Sequence, residues 1–157
     1  DDGVAGTRRH WHGAAGLIVL DTNLLLYALD RRCAEHLPAR AAMERAGAGG
    51  EWGFTLVSAV EFWSWSTRRL GGGAVALPEE AAAFLAALLT AGAQLLQPPP
   101  NFGRRLLRSV LAHGIVGKRI FDWQIGLIAL EHGATELWTH DRTLLAPPGL
   151  RVVDPLT

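Results

Sequence analysis

The chain is predicted to fold as an α/β protein, a three-layer α/β/α sandwich with a central, mainly parallel sheet of four to five strands. Three observations predict it. Short apolar runs such as Leu17-Ile18-Val19-Leu20 lack polar alternation, as expected of strands buried on both faces. Longer stretches with helix-start and helix-stop residues lie between those runs. Strands that alternate with helices make βαβ units, and their crossovers place helices on both faces of a parallel sheet.

The elements follow in order. Leu17–Leu20 is the first strand, entered from Gly16 and ended by Asp21. Thr22 to Leu29 reads as a helix rich in leucine, and Pro38 to Ala46 as a second helix ended by Gly47, Gly49 and Gly50. Phe54-Thr55-Leu56-Val57 is the second strand. Ser58 is a good N-cap for the next helix, with Glu61 three residues on in capping-box position. That helix is expected to reach about Leu70, before the glycines at 71–73. Glu79 to Thr90 reads as a helix with two acids in its first turn, where the macrodipole favours them. Gln94-Leu95-Leu96 is the third strand, stopped by three prolines. Helices over Phe102–His113 and Phe121–His132 each run into a glycine. Glu136–Thr139 is the fourth strand, and Leu150–Val153 a short last one.

The 157 residues, 49% of them apolar, suffice for one domain with a sizeable core. No repeat, low-complexity tract or long linker divides them, so residues 17–156 are read as a single domain. Residues 1–16 lack the continuous apolar segment of a signal peptide and are expected to form a mobile N-terminal extension. His10 and His12 within it are read as incidental. No run reaches the roughly 18 apolar residues of a membrane span. Cys33 is the single cysteine, which excludes an internal disulfide and fits a reducing cytoplasm. It is read as an inert structural thiol. Fifteen cationic and fifteen acidic residues give a net charge of zero, so any attraction to nucleic acid must be local.

The placement of four carboxylates is the informative feature. Asp21 ends the first strand and Asp141 lies just past the fourth. Ligands of open α/β sheets bind outside those carboxyl ends. Glu61 lies one turn into the helix after the second strand, and Asp122 opens the helix before the fourth. Each has an ordinary alternative: helix N-terminal acids for Asp21 and Asp122, a capping box for Glu61, a turn for Asp141. Together they converge on one edge of the sheet. Converging carboxylates require a counter-charge. An all-oxygen donor set suits Mg²⁺ or Mn²⁺, and no Cys/His cluster favours zinc. Such a cation would activate water and stabilise charge on a phosphodiester under in-line attack.

The residues around these acids resemble a known family. Leu17–Leu20 with Asp21-Thr22-Asn23 resembles the opening strand and D-T-N of PIN domains. Ser58-Ala59-Val60-Glu61-Phe62 resembles the second block. Phe121-Asp122-Trp123-Gln124-Ile125 with Glu131-His132-Gly133 resembles the third. Leu137–Arg142 resembles the fourth, T-x-D, and residues 149–156 are similar to the close of VapC proteins. The resemblance covers residues 17–156. It implies a PIN-like fold and a Mg²⁺- or Mn²⁺-dependent endoribonuclease, a VapC-type toxin of a bacterial type II toxin–antitoxin pair. Such a protein cleaves tRNA, rRNA or mRNA, leaves 5′-phosphate and 3′-hydroxyl ends, works as a homodimer and is neutralised by a cognate VapB-like antitoxin. By carry-over, Asp21, Glu61, Asp122 and Asp141 form the catalytic and metal-binding cluster, and Asn23 and Thr139 support it by hydrogen bonding. Two departures stand out. Trp123 follows the third acid where a small residue is common, with Gly126 expected to make room for its ring. Leu144 stands where an aromatic usually follows the fourth acid.

Local cations fit a nucleic-acid backbone. Arg104, Arg105, Arg108, Lys118 and Arg119 occupy a stretch with no acid. Lys118 and Arg119 precede Asp122 and are expected to border the site and contact RNA. The bland reading of all five is a solvated helix face. Trp63 and Trp65 are two apart on a helix and do not share a face, so at least one is read as a core or interface residue. His113 and His132 are read as helix-end residues. Among rival readings, a haloacid-dehalogenase-like phosphatase wants D-x-D, where this chain has Asn23. A receiver-like module wants paired acids and a late lysine, and neither is present. A catalytically silent PIN-fold partner-binding protein is the remaining alternative.

Overall fold

The structure, a computed structural model, describes residues 16–69, 71 and 73–157. The expected extension therefore lies, but for Gly16, outside the described residues. The elements are β1 (Leu17–Leu20), α1 (Thr22–Leu29), α2 (His36–Gly49), β2 (Trp52–Thr55), α3 (Leu56–Thr67), α4 (Pro78–Thr90), β3 (Gln94–Leu96), α5 (Phe102–Ala112), α6 (Arg119–Glu131), β4 (Ala134–Trp138) and β5 (Arg151–Val153). The strands form one sheet in the order β3-β2-β1-β4-β5, with every neighbouring pair parallel.

That order positions the site. From β1 the chain moves outward to β2 and β3, then returns to lay β4 on the other side of β1. The connections leaving β1 and β4 thus diverge, and a crevice opens at this switch point beyond their carboxyl ends. Alternation along β1 divides the core into two layers, as the pleat requires. Leu20 packs with Leu24 and Leu25 of α1, Ala39 and Met43 of α2, Phe62 of α3 and Ala81 of α4. Leu17 and Val19 pack on the other face with Phe102 of α5 and Ile125, Ile128 and Ala129 of α6. Helices therefore cover both faces.

Most elements fall where the sequence puts them, and the departures have physical reasons. Strand β2 runs over residues 52–55, not 54–57, because Thr55, not Ser58, caps α3. The Thr55 hydroxyl accepts the Ser58 backbone N–H at 3.0 Å, and its extended backbone turns the chain out of the strand. Helix α2 continues through Gly47, whose missing side chain leaves room for the Trp52 indole. Helix α4 begins at Pro78, and Glu80 accepts the Leu77 N–H at 2.8 Å. Helices α5 and α6 end before Gly114 and Gly133, which take the left-handed backbone (φ 63° and 76°) that such ends use. Cys33 lies beside the last turn of α1, its Sγ 3.1 Å from the Asp30 carbonyl, and burial pushes its thiol up, as an inert thiol requires. No helix among the described residues is long and apolar enough to cross a membrane.

Candidate active site

Asp21 stands at the exit of β1, where its backbone N–H still donates to the Trp138 carbonyl of β4 at 2.9 Å. Its side chain caps α1: Oδ1 accepts the Thr22 N–H at 2.7 Å. The ordinary reading of Asp21 as a cap is correct, but it uses only one oxygen. Oδ2 accepts from the Thr139 hydroxyl at 2.8 Å. That hydroxyl also accepts from Asn23 Nδ2 at 2.9 Å and from the Asp141 backbone N–H at 3.0 Å. Asn23 Oδ1 in turn accepts the His140 N–H at 3.4 Å. Asn23 and Thr139 thus join the two strand exits through one hydroxyl, where the sequence reading puts their support.

Glu61 projects from α3 toward the same place. The Thr22 hydroxyl donates to Glu61 Oε2 at 2.8 Å. The expected capping box with Ser58 does not form, because Thr55 has taken the cap; Glu61 is therefore free to face α1. Glu61, Asp122 and Asp141 line one cleft of about 290 Å³ together with Lys118, Arg119, Phe121 and Thr143. Asp21, only 6% exposed, is not among the lining residues. Its tie to the others is electrostatic. Burial pushes its carboxyl up to about 6, against the hydrogen bonds from Thr139 and Thr22, and the charges of Asp122 and Glu61 push the same way. The Asp122 carboxyl is also raised, first by burial, then by Asp141 and Glu61, while Lys118 and Arg119 pull it down. Asp21 thus feels Asp122 and Glu61, Asp122 feels Asp141 and Glu61, and the two cations border the cleft as expected.

Four carboxylates, two of them with carboxyls raised by burial and by their acidic neighbours, match a hard divalent cation in donor chemistry. Among the described residues, no three His, Cys, Asp or Glu side chains are yet drawn together closely enough to hold an ion as they stand.

Three groups escaped the sequence reading. Thr22 holds Glu61, and its place inside D-T-N was the available signal. Thr143 donates both its N–H and its hydroxyl to Asp141 Oδ1, at 2.8 and 2.7 Å. His140 Nδ1 meets the Asp154 carboxylate at 2.9 Å and ties the Asp141 loop to the chain after β5. Trp123 does not face the cleft: it is buried, donates Nε1–H to Ser109 Oγ at 2.9 Å and lies against His113. The expectation that Gly126 makes room for Trp123 is wrong, because a Cβ on Gly126 would meet Pro147 Cδ at 2.4 Å. Leu144 packs against the core layer formed by Val19, Phe102 and Ile125. Trp63 and Trp65 are both exposed, so neither fills the core, and Arg68 lies 3.6 Å from the Trp65 ring centre. His132, at the end of α6, meets the Gln97 carbonyl at 2.8 Å.

The family model described as PIN domain matches residues 18–149. No curated protein matches the chain in sequence. Among solved structures, the chain is similar to VapBC2 from Rickettsia felis bound to a promoter DNA fragment, with a TM-score of 0.62 and 15% identity over 87% of this chain and 97% of that one. It is similar to VapC20 of Mycobacterium tuberculosis, a sarcin–ricin loop cleaving toxin, with a TM-score of 0.60 and 16% identity over 81% and 92%. A third likeness is PAE2754 from Pyrobaculum aerophilum, with a TM-score of 0.51 and 20% identity over 94% and 92%. At these identities the three likenesses speak for the fold.

Proposed function

Because the chain belongs to the PIN domain family, we propose that it is a metal-dependent endoribonuclease, a VapC-like toxin held in check by a cognate VapB-like antitoxin. Residues 17–156 are its single domain. The observation that carries this reading is the cleft at the switch point, where Glu61, Asp122 and Asp141 line the walls and the charges of Glu61 and Asp122 bear on buried Asp21. Asp21, Glu61, Asp122 and Asp141 would hold Mg²⁺ or Mn²⁺. When bound, the cation supplies the positive charge that activates water and steadies a phosphodiester under attack. Thr139 and Asn23 keep the Asp21 carboxylate aimed, Thr22 fixes Glu61, and Thr143 fixes Asp141. Lys118 and Arg119 receive the RNA backbone at the rim. Hydrolysis breaks the P–O3′ bond, so one fragment keeps a 3′-hydroxyl and the other a 5′-phosphate.

The partner and setting belong to the same reading. The fold neighbour from Rickettsia felis is VapBC2 bound to a DNA fragment from its promoter. Here an apolar groove of about 470 Å³ runs between α2 and α4, bordered by Met43, Trp52, Phe84 and Leu88. It shares no residue with the acidic cleft. An antitoxin segment with apolar anchors would fill it. The protein would act as a homodimer in the bacterial cytoplasm.

Incubation of purified protein with a mixed tRNA and rRNA pool tests the activity. Discrete fragments bearing 5′-phosphates, formed with Mg²⁺ or Mn²⁺ and abolished by EDTA, are expected. An intact pool under all metal conditions overturns the reading. A second reading, a catalytically silent PIN-fold binding protein, draws on the open spacing of the acids. Calorimetric titration with Mn²⁺ separates the two, because a silent relative takes up no ion at these residues. A haloacid-dehalogenase-like phosphatase has no support from a chain of this family.

A further inference from the structure

The acidic cleft holds one apolar residue, Phe121, which is 49% exposed. It sits in the first turn of α6, with its N–H donating to the Lys118 carbonyl at 3.1 Å and Asp122 next in the chain. Single exposed apolar residues are ordinary on a protein surface. Val60, Leu107 and Leu111 are more exposed than Phe121, but they lie outside the cleft. Phe121 differs because the rest of the cleft lining is charged or polar: Glu61, Asp122 and Asp141, with Lys118, Arg119 and Thr143. A half-exposed phenyl ring in a cleft that it shares with a cation pair and an acid cluster has a natural ligand. A phosphate held by those groups carries its nucleobase only a few bonds away.

Resting on the nuclease reading, we propose that Phe121 is the stacking platform for the base that flanks the scissile phosphate. Stacking needs a base whose face is free, so the segment at the cleft must be unpaired. Stacking is tolerant of base identity, so Phe121 would select for an unpaired nucleotide and leave its sequence to other contacts. The cations grip the phosphate, the acids face the reacting bond, and the ring sets the register between them.

The test uses an RNA oligonucleotide that the protein cuts, with a single abasic position placed in turn on either side of the cut. Parent, Phe121→Ala, Phe121→Tyr and Phe121→Leu are compared for KM and kcat. Phe121→Ala is expected to raise KM by about tenfold. Phe121→Tyr should restore it, and Phe121→Leu, which keeps apolar area without a π face, should not. At one flanking position the abasic site should raise KM in the parent and add nothing in Phe121→Ala, because both remove the same contact. Additive effects at every position overturn the proposal, as does a leucine variant as good as the parent. So does a change of oligomeric state in Phe121→Ala, which would make the ring a protein contact. If the parent cuts no RNA, the nuclease reading itself has failed; if the parent cuts and Phe121→Ala cuts equally well, only the stacking proposal falls.

Discussion

The Thr139 hydroxyl donates to Asp21 Oδ2 at 2.8 Å, and this bond ties the exit of β4 to the exit of β1. Both residues are nearly inaccessible, at 2% and 6% exposure. A hydrogen bond to a buried carboxylate stabilises its charged form, so it opposes the burial that raises Asp21. Thr139→Val keeps the shape and removes the hydroxyl. Three hydrogen bonds are lost at once, to Asp21, Asn23 and the Asp141 backbone. The expected cost is about 1–3 kcal/mol in denaturant unfolding. Groups that orient a metal-site carboxylate are commonly worth 10–100-fold in activity, so kcat/KM should fall by about that factor. Thr139→Ser should keep most of both.

Asp21 also sets a pH dependence. Its carboxyl is raised from 3.8 to about 6 in the folded chain, so between these values the folded state binds the proton more tightly than the unfolded one. Stability from this group is fully present below pH 3.8 and is lost as pH rises through 6. The displacement corresponds to about 3 kcal/mol. In EDTA, Asp21→Asn should gain stability relative to the parent over this window and keep the gain at pH 7. Urea midpoints of both proteins from pH 4 to 7 give the comparison directly. Mg²⁺ or Mn²⁺ should then stabilise the parent in a concentration-dependent way and leave the variant nearly unmoved. Parallel pH profiles of parent and variant would mean that burial does not raise Asp21.

The contacts of Trp123 and Gly126 predict a clean separation of stability from activity. A Cβ at position 126 would press on Pro147, so Gly126→Ala should cost about 1–3 kcal/mol. Trp123→Phe removes the indole bond to Ser109. It should cost about 1 kcal/mol and leave kcat of the folded protein unchanged, because the ring points away from the cleft. Thermal unfolding and single-turnover cleavage of the same preparations check both.

Lys118 and Arg119 act on Asp122 as well as on RNA, since both pull its carboxyl down. Replacing the pair with alanine should weaken binding of a single-stranded RNA and flatten its salt dependence. Loss of two phosphate contacts reduces the log–log slope by about 1.4. An unchanged slope would make these residues a solvated helix face.

Much of this was legible in the sequence, and the parts that were not share a cause. The first strand announces itself because a strand buried on both faces needs an unbroken apolar run, and β1 has one. The acids stand out because Asp21 and Asp141 interrupt or follow such runs. What the chain does not declare locally is which of two competent residues takes a job. Thr55 and Ser58 are both good caps; the pairing of Thr55 with Leu96 in the sheet decides for Thr55, and Glu61 is thereby freed for the site. Gly126 likewise serves Pro147, twenty-one residues away, and not its neighbour Trp123. The order β3-β2-β1-β4-β5, which creates the crevice, is a long-range property that no local pattern encodes.

The most direct test of the central claim is the cleavage rate of parent, Asp21→Asn and Asp122→Asn on one RNA substrate, with Mn²⁺ and with EDTA, after circular dichroism has shown all three folded. The acidic site predicts cleavage by the parent with metal only, and a loss of at least about a hundredfold in each variant. Variants that cut as fast as the parent, or a parent that cuts equally well in EDTA, would contradict it.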